Sequence, residues 1–114
     1  MFQKLRTVIY HTDDLAKAKQ WYSIITGIEP YFDQPFYVGF DINGCELGLD
    51  PDPDQHQAGK GAVAYWKVDN IKDSVTQCLA AGATLHSDIQ NVGGTIQVAI
   101  VIDPFGNYLG LISE

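Results

Sequence analysis

One six-residue phrase occurs twice in this chain: residues 44–49 read GCELGL and residues 106–111 read GNYLGL. The duplication extends upstream of each copy. DLAKAKQWYSIITG (14–27) and NIKDSVTQCLAAG (70–82) both open on an acidic or amide residue and close on glycine. The first turn of a helix leaves orphan N–H groups that Asp or Asn can accept, and Gly ends a helix at the least steric cost. In the first stretch Leu15, Ala18, Trp21, Tyr22 and Ile25 recur at helical spacing, and in the second Ile71, Val75, Cys78 and Leu79 do the same. A chain of 114 residues that repeats its plan has room in each copy for one helix and a few short strands. Each helix must then lay its apolar face on something.

The segments around the helices supply strands. LRTVIY (5–10), FYVGFDI (36–42), CELGLD (45–50), GAVAYWKV (61–68), TIQVAIVI (95–102) and NYLGLI (107–112) are rich in β-branched and aromatic residues. INGC (42–45) and DPFGN (103–107) carry turn chemistry between strands, and VGGT (92–95) reads as a further turn. Two weaker strands, near 29–32 and 83–87, follow the helices directly. The order predicts an α+β fold with two β-α-β-β-β modules, about 1–50 and 61–114, in one domain spanning 1–114. The acidic, proline-bearing stretch 51–60 is the expected linker. With a helix on one face of each sheet, the two bare faces could meet around a shared cavity, where polar and small residues become functional candidates.

Charge narrows the partners. Fourteen acidic against seven basic residues give a net charge of −7, which repels nucleic-acid phosphates and anionic membrane surfaces. No apolar run approaches the roughly 20 residues needed to span a bilayer. The N-terminus MFQKLRTVIYHTDD also lacks a signal-peptide core, so a cytoplasmic protein is expected. Two cysteines, Cys45 and Cys78, without CxxC spacing predict free thiols. The alternating Asp50, Asp52 and Asp54 invite a calcium loop. That loop needs Gly at its sixth position and Glu at its twelfth, where this chain has Gln55 and Gly61.

Taken together in this order, DDLAKAKQWYSIITGIEP, VDNIKDSVTQCLAAGAT and DPFGNYLGL resemble the vicinal oxygen chelate superfamily. That group includes glyoxalase I, extradiol dioxygenases, and fosfomycin and bleomycin resistance proteins. The resemblance implies paired modules with cupped mixed sheets and a homodimer. It also implies metal ligands on the first and last strands of each module in the metal-dependent members. Carried over by spacing from Asp14, Asp69 and Asp103, those positions fall on Thr7, Val63 and Gly110. The fourth falls on Gly48 or Glu46, according to how CELGLD is aligned. A catalytic metal wants three or four converging His, Glu or Gln donors. At those four positions this chain offers at most one carboxylate, so neither metal nor cofactor is expected.

The residues that remain suggest an organic pocket. Glu46 either reaches solvent at a strand end or lines the cavity, where burial without a partner would raise its pKa and poise it as a base. Tyr65 shares a strand face with Val63, and Tyr108 with Gly110, so both hydroxyls either look into the cavity or pack at the core's edge. Gly48 and Gly110 remove bulk where ligands normally sit, leaving space for a molecule rather than an ion; their other reading is tight packing. His11, His56 and His86 lack ligand spacing. The resulting expectation is a metal-independent protein binding a small organic ligand. Thr7, Gly48, Val63, Tyr65, Tyr108 and Gly110 would line the pocket. The alternative is a glyoxalase-like lyase or isomerase with Glu46 as general base.

Overall fold

Asp14 and Asn70 start the two helices as their composition predicts. Asp14 accepts from the Lys17 backbone N–H at 3.1 Å and Asn70 from that of Asp73 at 3.1 Å, and Gly27 closes the first helix in the left-handed region (φ 73°). The computed structural model describes residues 1, 3–52 and 63–114. Within them lie β1 (Thr7–His11), α1 (Leu15–Thr26), β2 (Phe32–Gln34), β3 (Tyr37–Ile42) and β4 (Cys45–Asp50). A second series follows: β5 (Tyr65–Lys67), α2 (Ile71–Ala80), β6 (Thr84–Gly93), β7 (Ile96–Ile102) and β8 (Tyr108–Ser113). The chain divides into two compact units, Met1–Ala58 and Gly59–Glu114. Most of the expected linker, with Asp54 of the calcium reading and His56, lies outside the described residues.

Each unit builds one four-stranded mixed sheet, in the order β1-β4-β3-β2 and β5-β8-β7-β6. The first strand of each unit runs parallel to the last, as a helical crossover requires, and the remaining pairs are antiparallel. This is the α+β, twice β-α-β-β-β architecture that the repeat predicts. The turn from β3 to β4 uses only Asn43 and Gly44, both at positive φ (51° and 94°), the two-residue hairpin turn that matches strand twist. Asp103 organises the turn into β8 from a buried position. Its carboxylate accepts the backbone N–H of Phe105 and Asn107 and the Asn107 side-chain amide, at 2.8–2.9 Å.

Strand alternation sorts the side chains. In the first unit Val38, Phe40, Leu47 and Leu49 are buried beneath α1, which packs on β3 and β4 through Ala18, Trp21 and Tyr22. In the second, Ala99, Val101, Leu109 and Leu111 sit under Ile71, Val75 and Cys78 of α2. Both cysteines are free. Two strands depart from expectation. The strand after α1 starts at Phe32 rather than near residue 29, because Pro30 has no N–H to give the ladder; the first bond comes from Tyr31 N to Gly39 O. β6 runs to Gly93, beyond the expected 83–87, following β7 through irregularities of register until Gly93 and Gly94 turn the chain.

Candidate functional site

The face of the first sheet turned away from α1 carries Thr7 and Ile9 on β1, Tyr37, Gly39 and Asp41 on β3, and Glu46 and Gly48 on β4. Register places Thr7 directly beside Glu46, and Gly39 directly opposite Gly48. A side chain on either glycine would collide with this cluster. A Cβ on Gly48 would stand 1.8 Å from the Tyr37 hydroxyl, and one on Gly39 would stand 2.8 Å from Glu46 Oε2. The glycine pair is therefore a trough, and a phenol and a carboxylate lie in it.

Glu46 is the centre of the cluster. Its Oε1 accepts from Thr7 Oγ1 at 2.6 Å and from the Tyr37 hydroxyl at 2.9 Å, and faces the Arg6 guanidinium at 3.3 Å. Its Oε2 accepts from the Tyr31 hydroxyl. The side chain is only 11% exposed. Desolvation pushes its pKa up, but the hydrogen bonds from Thr7, Tyr31 and Tyr37 and the charge of Arg6 outweigh it, holding the carboxyl below the usual glutamate value. Burial, and then the bond to Glu46, push the Tyr37 phenol up to about 12, against a smaller opposing contribution from Thr7. Tyr31 is also raised, first by its bond to Glu46. The ground state is thus one carboxylate anion ringed by protonated hydroxyls. Beside it opens a recess of about 480 Å³ lined by Lys4, Arg6, Tyr31, Asp41, Gly44 and Glu46.

Two sequence-based expectations need correction here. A partnerless Glu46 with a raised pKa is replaced by a four-partnered Glu46 with a lowered one, because the neighbouring strands deliver hydroxyls that an isolated phrase cannot reveal. The space that the glycines leave is likewise not empty: Tyr37 fills it at Gly48. At Gly110 an added Cβ would meet Ala64 O at 2.6 Å and the Tyr65 ring at 2.7 Å. Tyr65 lies opposite Gly110 and is 45% exposed. Tyr108 is half-buried, its ring 4.6 Å from that of His86. Val63 is half-buried just before β5 and brings no polar atom. Within the first unit, then, the structure unites Thr7, Glu46 and Gly48; in the second it unites Tyr65 and Gly110, with Tyr108 on the same strand face.

Sequence reasoning missed Tyr31, Tyr37, Arg6 and Gly39. The signal for Tyr37 and Gly39 was present. Once the two-residue turn at Asn43-Gly44 fixes the register, Gly39 must oppose Gly48, and Tyr37 must share its face. Tyr31 and Arg6 lie outside or at the ends of strands, where periodicity is silent.

The donor set does not fit the metal that the resemblance brings to mind. Threonine is a neutral hydroxyl, valine and glycine offer no side-chain donor, and the oxygens of Glu46 already accept from hydroxyls. Among the described residues, no group of three His, Cys, Asp or Glu side chains is placed to hold a metal ion. Nor is any helix among them long and apolar enough to cross a membrane.

Comparison with known proteins places this geometry. The model of the Glyoxalase/Bleomycin resistance protein/Dioxygenase superfamily matches residues 4–111. A glyoxalase/bleomycin resistance protein/dioxygenase family enzyme from Burkholderia phytofirmans PsJN superposes with a TM-score of 0.81 at 19% identity, covering 97% of this chain and 98% of that one. A glyoxalase-related enzyme from Fulvimarina pelagi gives 0.79 at 16% identity, covering 99% and 89%. Lactoylglutathione lyase from Agrobacterium tumefaciens gives 0.78 at 18% identity, covering 99% and 95%. At such identities the likeness is one of fold. No protein of curated function matches the sequence.

Proposed function

This chain belongs to the Glyoxalase/Bleomycin resistance protein/Dioxygenase superfamily, and on that footing we propose that it is a metal-independent binder of a small organic ligand, seated beside Glu46 on the first sheet. The observation that carries this reading is the state of Glu46. A general base needs a pKa near the working pH and a lone pair aimed at the substrate. Glu46 has a lowered pKa, and its Oε1 is engaged by Thr7, Tyr37 and Arg6. Such a carboxylate is suited to holding an arrangement of hydroxyls rather than to shuttling a proton. The recess beside it is organic in scale, and Ile9, Tyr31, Phe32 and Phe36 expose apolar surface in the same unit. In this reading the protein acts as a cytoplasmic homodimer on a freely diffusing molecule, with no nucleic acid or membrane partner; the net charge of −7 supports that choice.

A thermal-shift screen of small aromatic and cationic compounds tests the reading. It should yield a saturable stabiliser that is recovered unchanged and is lost in Glu46→Ala with the fold retained by circular dichroism. Turnover of that compound, abolished by Glu46→Gln, would instead establish a glyoxalase-like lyase or isomerase with Glu46 as base. Elemental analysis of tag-free protein should find no stoichiometric transition metal. One equivalent that disappears in Glu46→Ala would overturn metal independence.

A further inference from the structure

Each hydroxyl around Glu46 has one hydrogen to give, and the cluster spends all three internally. Tyr31 donates to Oε2, and Tyr37 and Thr7 donate to Oε1. What the cluster presents to the recess, through Tyr31 and Glu46, is therefore lone pairs. Asp41 adds another carboxylate to the lining of the recess, one of its oxygens taken by the Gly44 N–H at 2.8 Å. Beside Glu46 the recess thus presents acceptors on Tyr31, Asp41 and Glu46.

One side chain already uses two of these acceptors. The Arg6 guanidinium, on a side chain 70% exposed, faces Glu46 Oε1 at 3.3 Å and also interacts with the Tyr31 hydroxyl. It comes from the segment before β1. An exposed, singly matched ion pair of this kind is weak and exchangeable. Lys4, the other cation at the recess, is held instead by the Gly44 carbonyl at 3.3 Å. The charges lining the recess, Lys4 and Arg6 against Asp41 and Glu46, balance, so net attraction does not choose the ligand. The acceptors that Arg6 already occupies, on Glu46 and Tyr31, do.

We infer that this subsite selects an organic ligand bearing an amine or guanidine-type N–H donor group, and that Arg6 is an internal stand-in for that group, displaced when the ligand binds. This rests on the proposed binding function and specifies its ligand class. A carboxylate or carbonyl head group seated at Glu46 would meet that carboxylate and the Tyr31 hydroxyl, whose one hydrogen is already given to it. A guanidinium or ammonium repeats the contacts that Arg6 makes, and the neighbouring phenol of Tyr31, 58% exposed, adds a ring face for the cation.

The test compares four probes of one size: benzylguanidine, benzylamine, benzyl alcohol and phenylacetate. Each is titrated into the intact protein and into Arg6→Ala, with binding followed at the Gly39, Gly44 and Gly48 amides by NMR. The expected order is guanidine and amine ahead of alcohol, with phenylacetate last. Removing the stand-in should tighten the two cationic probes by about two- to fivefold, the weight of one exposed ion pair. Phenylacetate binding best, and lost in Arg6→Ala, would overturn the donor-ligand inference while leaving a binding site in place. Cationic probes that bind no more tightly in Arg6→Ala would overturn the stand-in role. If no probe moves these amides in either protein, the inference and the binding site it rests on both fail.

Discussion

The two modules share a topology and a register and differ in what they place on one sheet face. The repeated phrase aligns Glu46 with Tyr108 and Gly48 with Gly110. Pairing then carries the match across each sheet: Gly39 opposes Gly48 where Ile100 opposes Gly110, and Asp41 opposes Glu46 where Ile102 opposes Tyr108. On the first strands, Ile9 and Tyr65 are the corresponding neighbours of the two glycines. Counting two residues back gives Tyr37 against Val98, and Thr7 against Val63. One module therefore puts Thr, Tyr, Gly, Asp and Glu where the other puts Val, Val, Ile, Ile and Tyr. The core residues beneath the helices show no such split: Val38, Phe40, Leu47 and Leu49 in one module answer to Ala99, Val101, Leu109 and Leu111 in the other. A duplicated scaffold has kept its core chemistry on both sides and most of its polar chemistry on one, with Tyr65 and Tyr108 as the exceptions. The shared element is the last-strand glycine, and even that is used differently: Gly48 is covered by a tyrosine from β3, and Gly110 by a tyrosine and a carbonyl from β5 and its approach.

That difference in cover predicts the largest effect. Gly110→Ala would drive a Cβ to 2.6 Å from the Ala64 carbonyl, which also accepts the Gly110 N–H at 3.0 Å. Backbone bound in this way cannot step aside, so the variant should lose about 3 kcal/mol, the upper range for overpacking, in urea unfolding. Gly48→Ala meets the far end of a side chain instead. Tyr37 can swing away at the cost of its bond to Glu46, and a loss of about 1–2 kcal/mol is expected. Adding Tyr37→Val, the residue type of the other module at that position, should make the Gly48→Ala change nearly silent. A clash that persists at full size in the double variant would show that the ring is not what fills the trough.

The fold was legible in the sequence because duplication states it twice: both helix starts, both last strands and the two-residue turn at Asn43-Gly44 fall where residue chemistry puts them. The site was half legible. Thr7 could be found from its spacing to Asp14 under the resemblance, and Glu46 and Gly48 from aligning the repeated phrase. What the sequence could not show was the partnership. Whether Glu46 is raised or lowered in pKa depends on Tyr31, Tyr37 and Arg6, and these reach it across fifteen, nine and forty positions of chain through strand pairing and a loop. Gly48 stays open between ligand space and tight packing in the sequence for the same reason. A glycine announces that a side chain is missing and not which neighbour fills the gap.

Next in size is the loss of the charge that gathers the hydroxyls. Glu46→Gln keeps the shape but turns one oxygen into a donor facing groups that also donate. Charge-assisted bonds to a half-buried anion carry about 1.5–3 kcal/mol each before compensation, and a net loss of about 2 kcal/mol is expected. The pH dependence follows from the sign of the shift. The folded pKa lies below the unfolded one, so this contribution is complete above the unfolded glutamate value and is lost as pH falls through the folded value. The stability gap between wild type and Glu46→Gln should therefore hold at neutral pH and close progressively in acid. Spectrophotometric titration checks the same contact from the other side. Tyr37 should ionise near 12 in the folded protein and lower in Glu46→Gln. Its raised value contributes stability that is present below the unfolded phenol pKa and fades as pH rises towards 12. A Tyr37 titration unmoved by Glu46→Gln would leave burial as the sole cause of its shift.

The smallest expected effect separates the weight of the hydroxyls from that of the ion pair. Arg6 and Glu46 approach to 3.3 Å, but the arginine is mostly in water. Solvent and salt screen such a pair, and ordering a long side chain offsets part of what is left. Arg6→Ala should therefore change unfolding stability by no more than about 0.5 kcal/mol, and less still at high salt. Thr7→Val tests the opposite case, since it swaps in the second module's residue at the matching position and removes a 2.6 Å bond to the same oxygen. That bond is partly buried and shielded from salt, so the loss should be the larger of the two, about 1 kcal/mol, and should persist at high ionic strength. If Arg6→Ala proved the costlier change, the polar face of the first module would be held by charge pairing rather than by its ring of hydroxyls. The contrast with the apolar second module would then be one of net charge and not of hydrogen-bond architecture.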